Sequence, residues 1–167
     1  MSIFQGNPDT PYHLSVGGLL TNESGEICCH YFDVNSDASK QSTKRDLYLL
    51  MRETISADES ITDALKRGAR QEFGAEISIG HYLGSIQSVF PLKNKDSIIR
   101  KTTIYFHLNL GEQKDEWRNK DIPEGKSVLM WLKPAMLMKR METQQSDSHT
   151  GLDESGIIKN YLKSLNN

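Results

Sequence analysis

The chain has 167 residues, of which 37% are hydrophobic and 25% charged, with a formal net charge of −2 at pH 7. That length suits one domain, 1–167, with a real core, and the near-neutral balance gives no case for non-specific binding to nucleic acid or a bilayer. No apolar run is long enough to span a membrane, and the opening "MSIFQGNPDTPYH" has neither a basic nor an apolar leader, so a cytoplasmic setting is expected.

In chain order, "LSVGGLL" (14–20) and "EICCHYF" (26–32) read as strands joined by the turn "TNESG". The second carries the only cysteines, Cys28 and Cys29. Neighbouring cysteines rarely pair with each other, so two buried thiols in a reducing compartment are expected. "NSDASKQSTKRD" (35–46) lacks apolar periodicity and reads as a loop, and "LYLLM" (47–51) reads as a short buried strand. A helix follows, with Asp58 or Ser60 as its cap and Ile61, Ala64, Leu65, Ala69 and Phe73 as its core-facing stripe. Gly74 fits the position just past its end.

Residues 76–90 and 98–110 are rich in β-branched and aromatic residues and read as long strands around the loop "PLKNKDS". "SVLMWL" (127–132) is another strand, and Pro134 opens a short helix, "PAMLMKRM". "TQQSDSHTG" is a loop before a terminal helix, "LDESGIIKNYLKSL". These elements predict a mixed α/β sandwich.

The unit 47–76 concentrates the chemistry. In "RETISADESITDALKRGARQEFGAE", Arg67 follows Glu59 by eight residues, Glu72 follows Arg67 by five, and Gly74 follows Glu72 by two. This spacing resembles the Nudix box of the Nudix hydrolase superfamily. That box runs as a glycine, five residues, a glutamate, seven residues, then Arg-Glu-aliphatic-any-Glu-Glu-any-Gly-aliphatic. Glu59, Arg67, Glu72 and Gly74 fall on matching positions. The departures are Glu53 at the first glycine, Gly68 at the glutamate after arginine, and Gln71 at the first of the paired glutamates. Ala69 and Ala75 are small versions of the aliphatic positions.

The resemblance implies a Nudix-type α/β/α sandwich with a mixed central sheet. It implies metal-dependent cleavage of a diphosphate linkage in a nucleoside diphosphate derivative, with Mg²⁺ or Mn²⁺ as cofactor. A magnesium ion is usually shared between one or two carboxylates and substrate phosphates. Residues three and four apart on a helix lie on one face, so positions 68, 71 and 72 form the metal-facing cluster. Glu72 and Gln71 are the expected metal and catalytic positions, Glu53 an auxiliary ligand, and Glu59 and Arg67 a pair that braces the loop. Gln71 is neutral and cannot serve as a base. Three readings of it stand open: a natural residue in an active enzyme, the mark of a silent binding module, or a Glu→Gln change that stops the chemistry. Gly68 costs the helix roughly 1 kcal/mol relative to alanine. It implies either close packing on a strand or room for ligand.

Arg52 and Arg100 are the expected phosphate partners. Arg100 belongs to a basic hairpin with Lys93, Lys95 and Lys101, which otherwise reads as a solvated patch. Trp131 and Phe90 suit core packing better than base stacking. Asp153 and Glu154 either supply a late acid or complement a helix dipole. His149 sits in a loop, whereas the other four histidines lie in or beside strands without ligand spacing. A small nucleoside diphosphate derivative is the expected partner. No membrane partner is expected, nor nucleic acid apart from a capped RNA end, which is left open, as is a homodimer. A silent Nudix-fold module that binds a nucleotide or a protein is the alternative.

Overall fold

Strand β1 (Tyr12–Thr21) forms the axis of the sheet, and its run of Val16, Gly17, Gly18, Leu19 and Leu20 is buried. A strand is apolar on consecutive residues when both of its faces are covered. The computed structural model describes residues 12–33, 46–91, 98–145 and 153–166. One edge of β1 pairs in parallel with β6 (Ile98–Gln113), which pairs antiparallel with β5 (Ala75–Pro91). The other edge is shared. Ser15–Gly18 pair with β4 (Met51–Thr54), and Leu20 and Thr21 pair with β2 (Ile27–Phe32). Strands β3 (Leu47–Leu49) and β7 (Val128–Leu132) complete the sheet on β2. The sheet therefore forks beyond Leu19, with β4 on one arm and β2 on the other.

Helices cover both faces. Helix α1 (Ile61–Gly68) continues into a π-helical turn, Ala69–Phe73, and packs Leu65, Ala69 and Phe73 against Val16, Met51 and Leu108. Helices α3 (Pro134–Gln145) and α4 (Ser155–Ser164) pack Leu137, Met141, Ile157 and Ile158 against Leu19 and Tyr105 on the opposite face. This is an α/β/α sandwich with a mixed sheet.

Several elements differ from the sequence reading. "LYLLM" is broken at Leu50, because β3 joins the β2 arm and β4 joins the β1 arm. Leu50 cannot pair there, and its N–H is donated instead to the buried carboxylate of Glu154 at 2.8 Å. The box helix is α-helical only to Gly68, and its last turn is π. Ile61 is 39% exposed rather than core-facing, since it stands in the first turn ahead of the sheet. Ser60, not Asp58, is the cap, accepting from the Asp63 N–H at 3.1 Å. Helix α3 extends to Gln145, and two short pieces were not legible: a 3₁₀ turn, Asp115–Trp117, and α2 (Pro123–Lys126). Trp131 packs at the edge of the α1-side core, in line with the structural reading. The N-terminal eleven residues, most of the 35–46 loop, Lys93, Lys95, His149 and the side chain of Phe90 lie outside the described residues. No described helix is long and apolar enough to cross a membrane.

Gly17 permits a close approach in the sheet: a Cβ there would strike ring carbons of Tyr105. The ring is itself fully buried and cannot retreat. Gly17→Ala should destabilise the chain by about 1–3 kcal/mol through overpacking, read as a lower urea midpoint at unchanged slope.

Candidate active site at the fork of the sheet

The loop before α1 folds back on the helix through one guanidinium. Arg67 donates from Nε to Glu59 Oε1 and from Nη2 to Glu59 Oε2, both at 2.7 Å. Nη2 also reaches the Thr54 carbonyl at 2.9 Å, and Nη1 lies 3.0 Å from Glu53 Oε2. A planar fork matched to a carboxylate is a strong, directional contact. The Ser56 N–H adds a bond to Glu59 Oε2 at 3.1 Å. The bonds from Arg67, above all, hold the Glu59 pKa down at about 2. Strand β4, the loop and α1 are thereby tied at one point.

Next to this fork, Gly68 faces β4. A Cβ at position 68 would lie 3.0 Å from the Glu53 Cβ, 3.2 Å from the Met51 sulfur and 3.4 Å from the Glu53 Cγ. The stem of Glu53 covers the space that a side chain on Gly68 would enter. The register explains this: Glu53 is paired with Val16, whose face of the sheet packs against α1. The two positions at which the chain departs from the box by exchanging glycine and glutamate are in contact. The Glu53 carboxylate also accepts the Thr54 N–H at 3.0 Å.

Glu72 lies in the π turn and is 2% exposed. Its Oε2 is 2.8 Å from Nε2 of His30 on β2. The other ring nitrogen of His30 is 2.7 Å from the Ser127 hydroxyl. Ser127 donates to the Glu124 carbonyl at 2.7 Å and accepts from Arg118 Nη2 at 3.1 Å. Its hydrogen is thus committed, so we assign His30 Nδ1 as the donor to Ser127. Burial, reinforced by Arg118, pushes the His30 pKa down to about 3, so the ring is neutral. Its Nε2 then has only a lone pair to offer, and Glu72 donates a carboxyl hydrogen to it. Burial, with the Glu124 and Glu53 carboxylates adding to it, raises the Glu72 pKa well above the usual value, which agrees with this assignment. Arg118 closes the network with Nε on the Glu72 carbonyl at 2.8 Å. Gln71 is half-buried, and among the described residues its side-chain amide makes no hydrogen bond.

The opposite face of the sheet is basic. Arg52 on β4 keeps 23% of its side chain exposed, with Nε 3.7 Å from Glu154 Oε1. Glu154 is buried at the start of α4 and also accepts the Tyr105 hydroxyl at 2.6 Å. Neither acid of "DESG" points to solvent as a spare base: Glu154 is engaged in this way, and Asp153 accepts the Ser155 N–H at 2.9 Å. Lys101 is half-buried, and among the described residues it has no ion pair. Burial first, then the neighbouring Arg52, lowers its pKa. Arg100, the other expected phosphate partner, is exposed and one residue out of phase, so it stands on the other face of β6 from Lys101.

The fork thus gathers Glu53, Glu72, Arg67, Glu59 and Arg52, with Gln71 next to Glu72 in the π turn, and leaves Arg100 outside. Sequence reasoning missed His30, Ser127 and Arg118, and named Lys101 only as one member of a basic hairpin patch. Only Lys101 left a usable signal, since it shares the strand parity of buried Thr103 and Tyr105. The candidate metal donors are the carboxyl groups of Glu53 and Glu72. Among the described residues, no three His, Cys, Asp or Glu side chains come close enough to hold an ion by themselves.

No protein-family model matches the sequence, and no curated protein matches it. Solved structures do. The chain is similar to a NUDIX hydrolase from Nitrosomonas europaea, with a TM-score of 0.61 at 11% identity over 91% of this chain and 89% of that one. It is similar to a MutT protein from Methanosarcina mazei, with a TM-score of 0.54 at 17% identity over 96% and 100%. An Escherichia coli protein solved in solution gives 0.55 at 17% identity over 95% and 94%. The chain has the Nudix fold.

The Glu59–Arg67 fork sets an acid limit on stability. The folded pKa of Glu59 is about 2 against an ordinary 4.5, so the unfolded chain binds the proton first as pH falls. Its contribution is full above about pH 4.5 and is lost between there and about pH 2. Glu59→Gln should lower stability at pH 7 by about 1–3 kcal/mol and flatten that part of the acid dependence in urea titrations at stepped pH.

Proposed function

We propose that the chain is a Nudix-type hydrolase that cleaves a diphosphate linkage in a nucleoside diphosphate derivative with the help of Mg²⁺ or Mn²⁺. The observation that carries this reading is the contact between Glu53 and Gly68. The helix lacks a carboxylate at position 68, and the stem of Glu53 on β4 fills that space and brings a carboxylate within electrostatic reach of Glu72. The loss that the sequence suggests is therefore a relocation.

The donor chemistry fits the metal. Glu53 offers a hard oxygen donor from β4, and Glu72 would offer one from the helix once its carboxyl hydrogen is lost; two carboxylates completed by substrate phosphates are a usual magnesium set. When bound, the ion would offset charge on the diphosphate and help activate water. The protein's own groups have separate tasks. Arg67 holds Glu53 and Glu59 in place, so the carboxylate from β4 is fixed against the helix. His30 fixes the orientation of Glu72 by accepting a hydrogen bond from its carboxyl group. Gln71 has the shape of glutamate without its charge. Its amide can orient a water or a phosphate oxygen but cannot take a proton.

A second reading rests on the proton between Glu72 and His30. With Gln71 neutral and Glu72 protonated, the helix itself brings no charge to the site. A silent module that binds a nucleotide or a protein has no need of one.

Phosphate release from a panel of nucleoside diphosphate derivatives, with Mg²⁺ or Mn²⁺, separates the two. The unchanged chain should turn over at least one of them. Glu53→Gly should lower kcat/KM by about 100-fold, and adding Gly68→Glu to it should recover most of that loss. If neither the unchanged chain nor Gln71→Glu hydrolyses any of the panel while ligand still binds, the hydrolase reading fails and the silent module stands.

A further inference from the structure

The register of three adjacent strands composes a second surface. Arg52, Gly17 and Tyr105 are paired in one row across β4, β1 and β6. Thr54, Ser15 and Thr103 form the next row, and His13 is paired with Lys101 beyond it. Residues directly opposite one another in a sheet share a face. Arg52, Ser15, Thr103 and Lys101 therefore stand on one side, away from α1. Helix α4 covers this side near Tyr105 and His107, through Glu154 and the ring of Tyr161. Farther along, the face changes from apolar to polar.

Two groups on that polar floor are incomplete. The Ser15 side chain is fully buried, yet its hydroxyl is the one enclosed side-chain polar atom, among the described residues, without a hydrogen-bond partner. A buried polar group left unpaired is costly and calls for a reason. Lys101 is a half-buried ammonium without an ion pair among the described residues, and a second cation, Arg52, lies within electrostatic reach of it. Like charges gathered in partial burial are stable when an anion joins them. Glu154 meets that need only for Arg52, at 3.7 Å; its oxygens also take the Tyr105 hydroxyl and the Leu50 N–H, and it makes no ion pair with Lys101 among the described residues. Gly17 leaves bare backbone beside Arg52, where any side chain would strike the Tyr105 ring.

This floor meets the acidic side at the fork. The unpaired edge of β4 directs the Arg52 N–H at Glu72, and the carboxylates of Glu72, Glu53 and Glu124 lie within electrostatic reach of Lys101. We infer that Lys101, Arg52 and the Ser15 hydroxyl form an anion subsite that takes phosphate oxygens of the ligand turned away from the carboxylates. Lys101 and Arg52 supply the charge, and Ser15 supplies a neutral donor at the floor. Glu154 is a positioning residue that restrains the Arg52 guanidinium.

The inference rests on the hydrolase reading only for the identity of the anion as part of a diphosphate, so binding tests it apart from turnover. The probe is inorganic pyrophosphate, titrated calorimetrically into the full chain. Lys101→Met and Arg52→Met should each weaken binding about tenfold or more, and Ser15→Ala by a smaller factor. Lys101→Arg, which keeps the charge, should retain most of the affinity and so shows that the position tolerates change. Arg100→Met, one residue away on the other face, should leave affinity within about twofold. Equal affinity in Lys101→Met and the unchanged chain, or equal losses in Arg100→Met and Lys101→Met, would overturn the subsite. Lys101-dependent pyrophosphate binding without any hydrolysis keeps the subsite and removes the hydrolase reading. Turnover with unchanged KM in Lys101→Met does the reverse.

Discussion

A carboxyl group shut inside a protein must be neutral or matched, and Glu72 is shut inside the last turn of the box helix. Much of the surrounding architecture answers to that constraint. His30 reaches it from β2, Ser127 fixes the far side of the imidazole from the start of β7, and Arg118 spans both. Arg118 bonds the carbonyls of Glu72, Glu124 and Ser127, so a single guanidinium closes the helix end onto the segment between β6 and β7. The π turn belongs to the same solution. Widening the last turn re-aims the residues of Ala69–Phe73, and Gly74 ends it in the left-handed region at φ 63°. The price of burying an acid is met by a network drawn from four separate elements.

Where the physics was local, the sequence was readable. The Ser60 cap, the stripe of Ala64, Leu65, Ala69 and Phe73, and Gly74 all follow from short-range rules, and they placed the box helix. The long strands β5 and β6 were legible from β-branched and aromatic residues. What stayed hidden depended on pairing. Nothing in "LYLLM" shows that its two halves join different arms of a forked sheet. His30 looks like any strand histidine until β2 is laid beside the helix end, 42 residues away in sequence. Arg100 and Lys101 are equivalent in composition, and only the register of β6 against β1 decides which one faces Arg52. The fold class needed patterns, whereas the site needed partners.

Both sides of the fork mix charges. Arg67 joins Glu53 and Glu59 on the helix side, and Glu154 stands with Arg52 on the far side. Leu50 is the junction of this arrangement: its N–H is held by Glu154, which also restrains Arg52.

The contact between Gly68 and Glu53 carries a consequence for descent. A linear signature scores each position alone, and by that measure Glu53 and Gly68 are two unrelated defects beside Gln71. In space they are one exchange. Starting from the common arrangement, a glutamate gained first at position 53 would crowd another at position 68, stem against stem at about 3 Å with like charges. A glutamate lost first at position 68 would leave neither. Each single step is penalised while the pair is not, so the two positions are bound to change together. Lineages holding either form are separated by a valley, and covariation of 53 with 68 would trace the crossing.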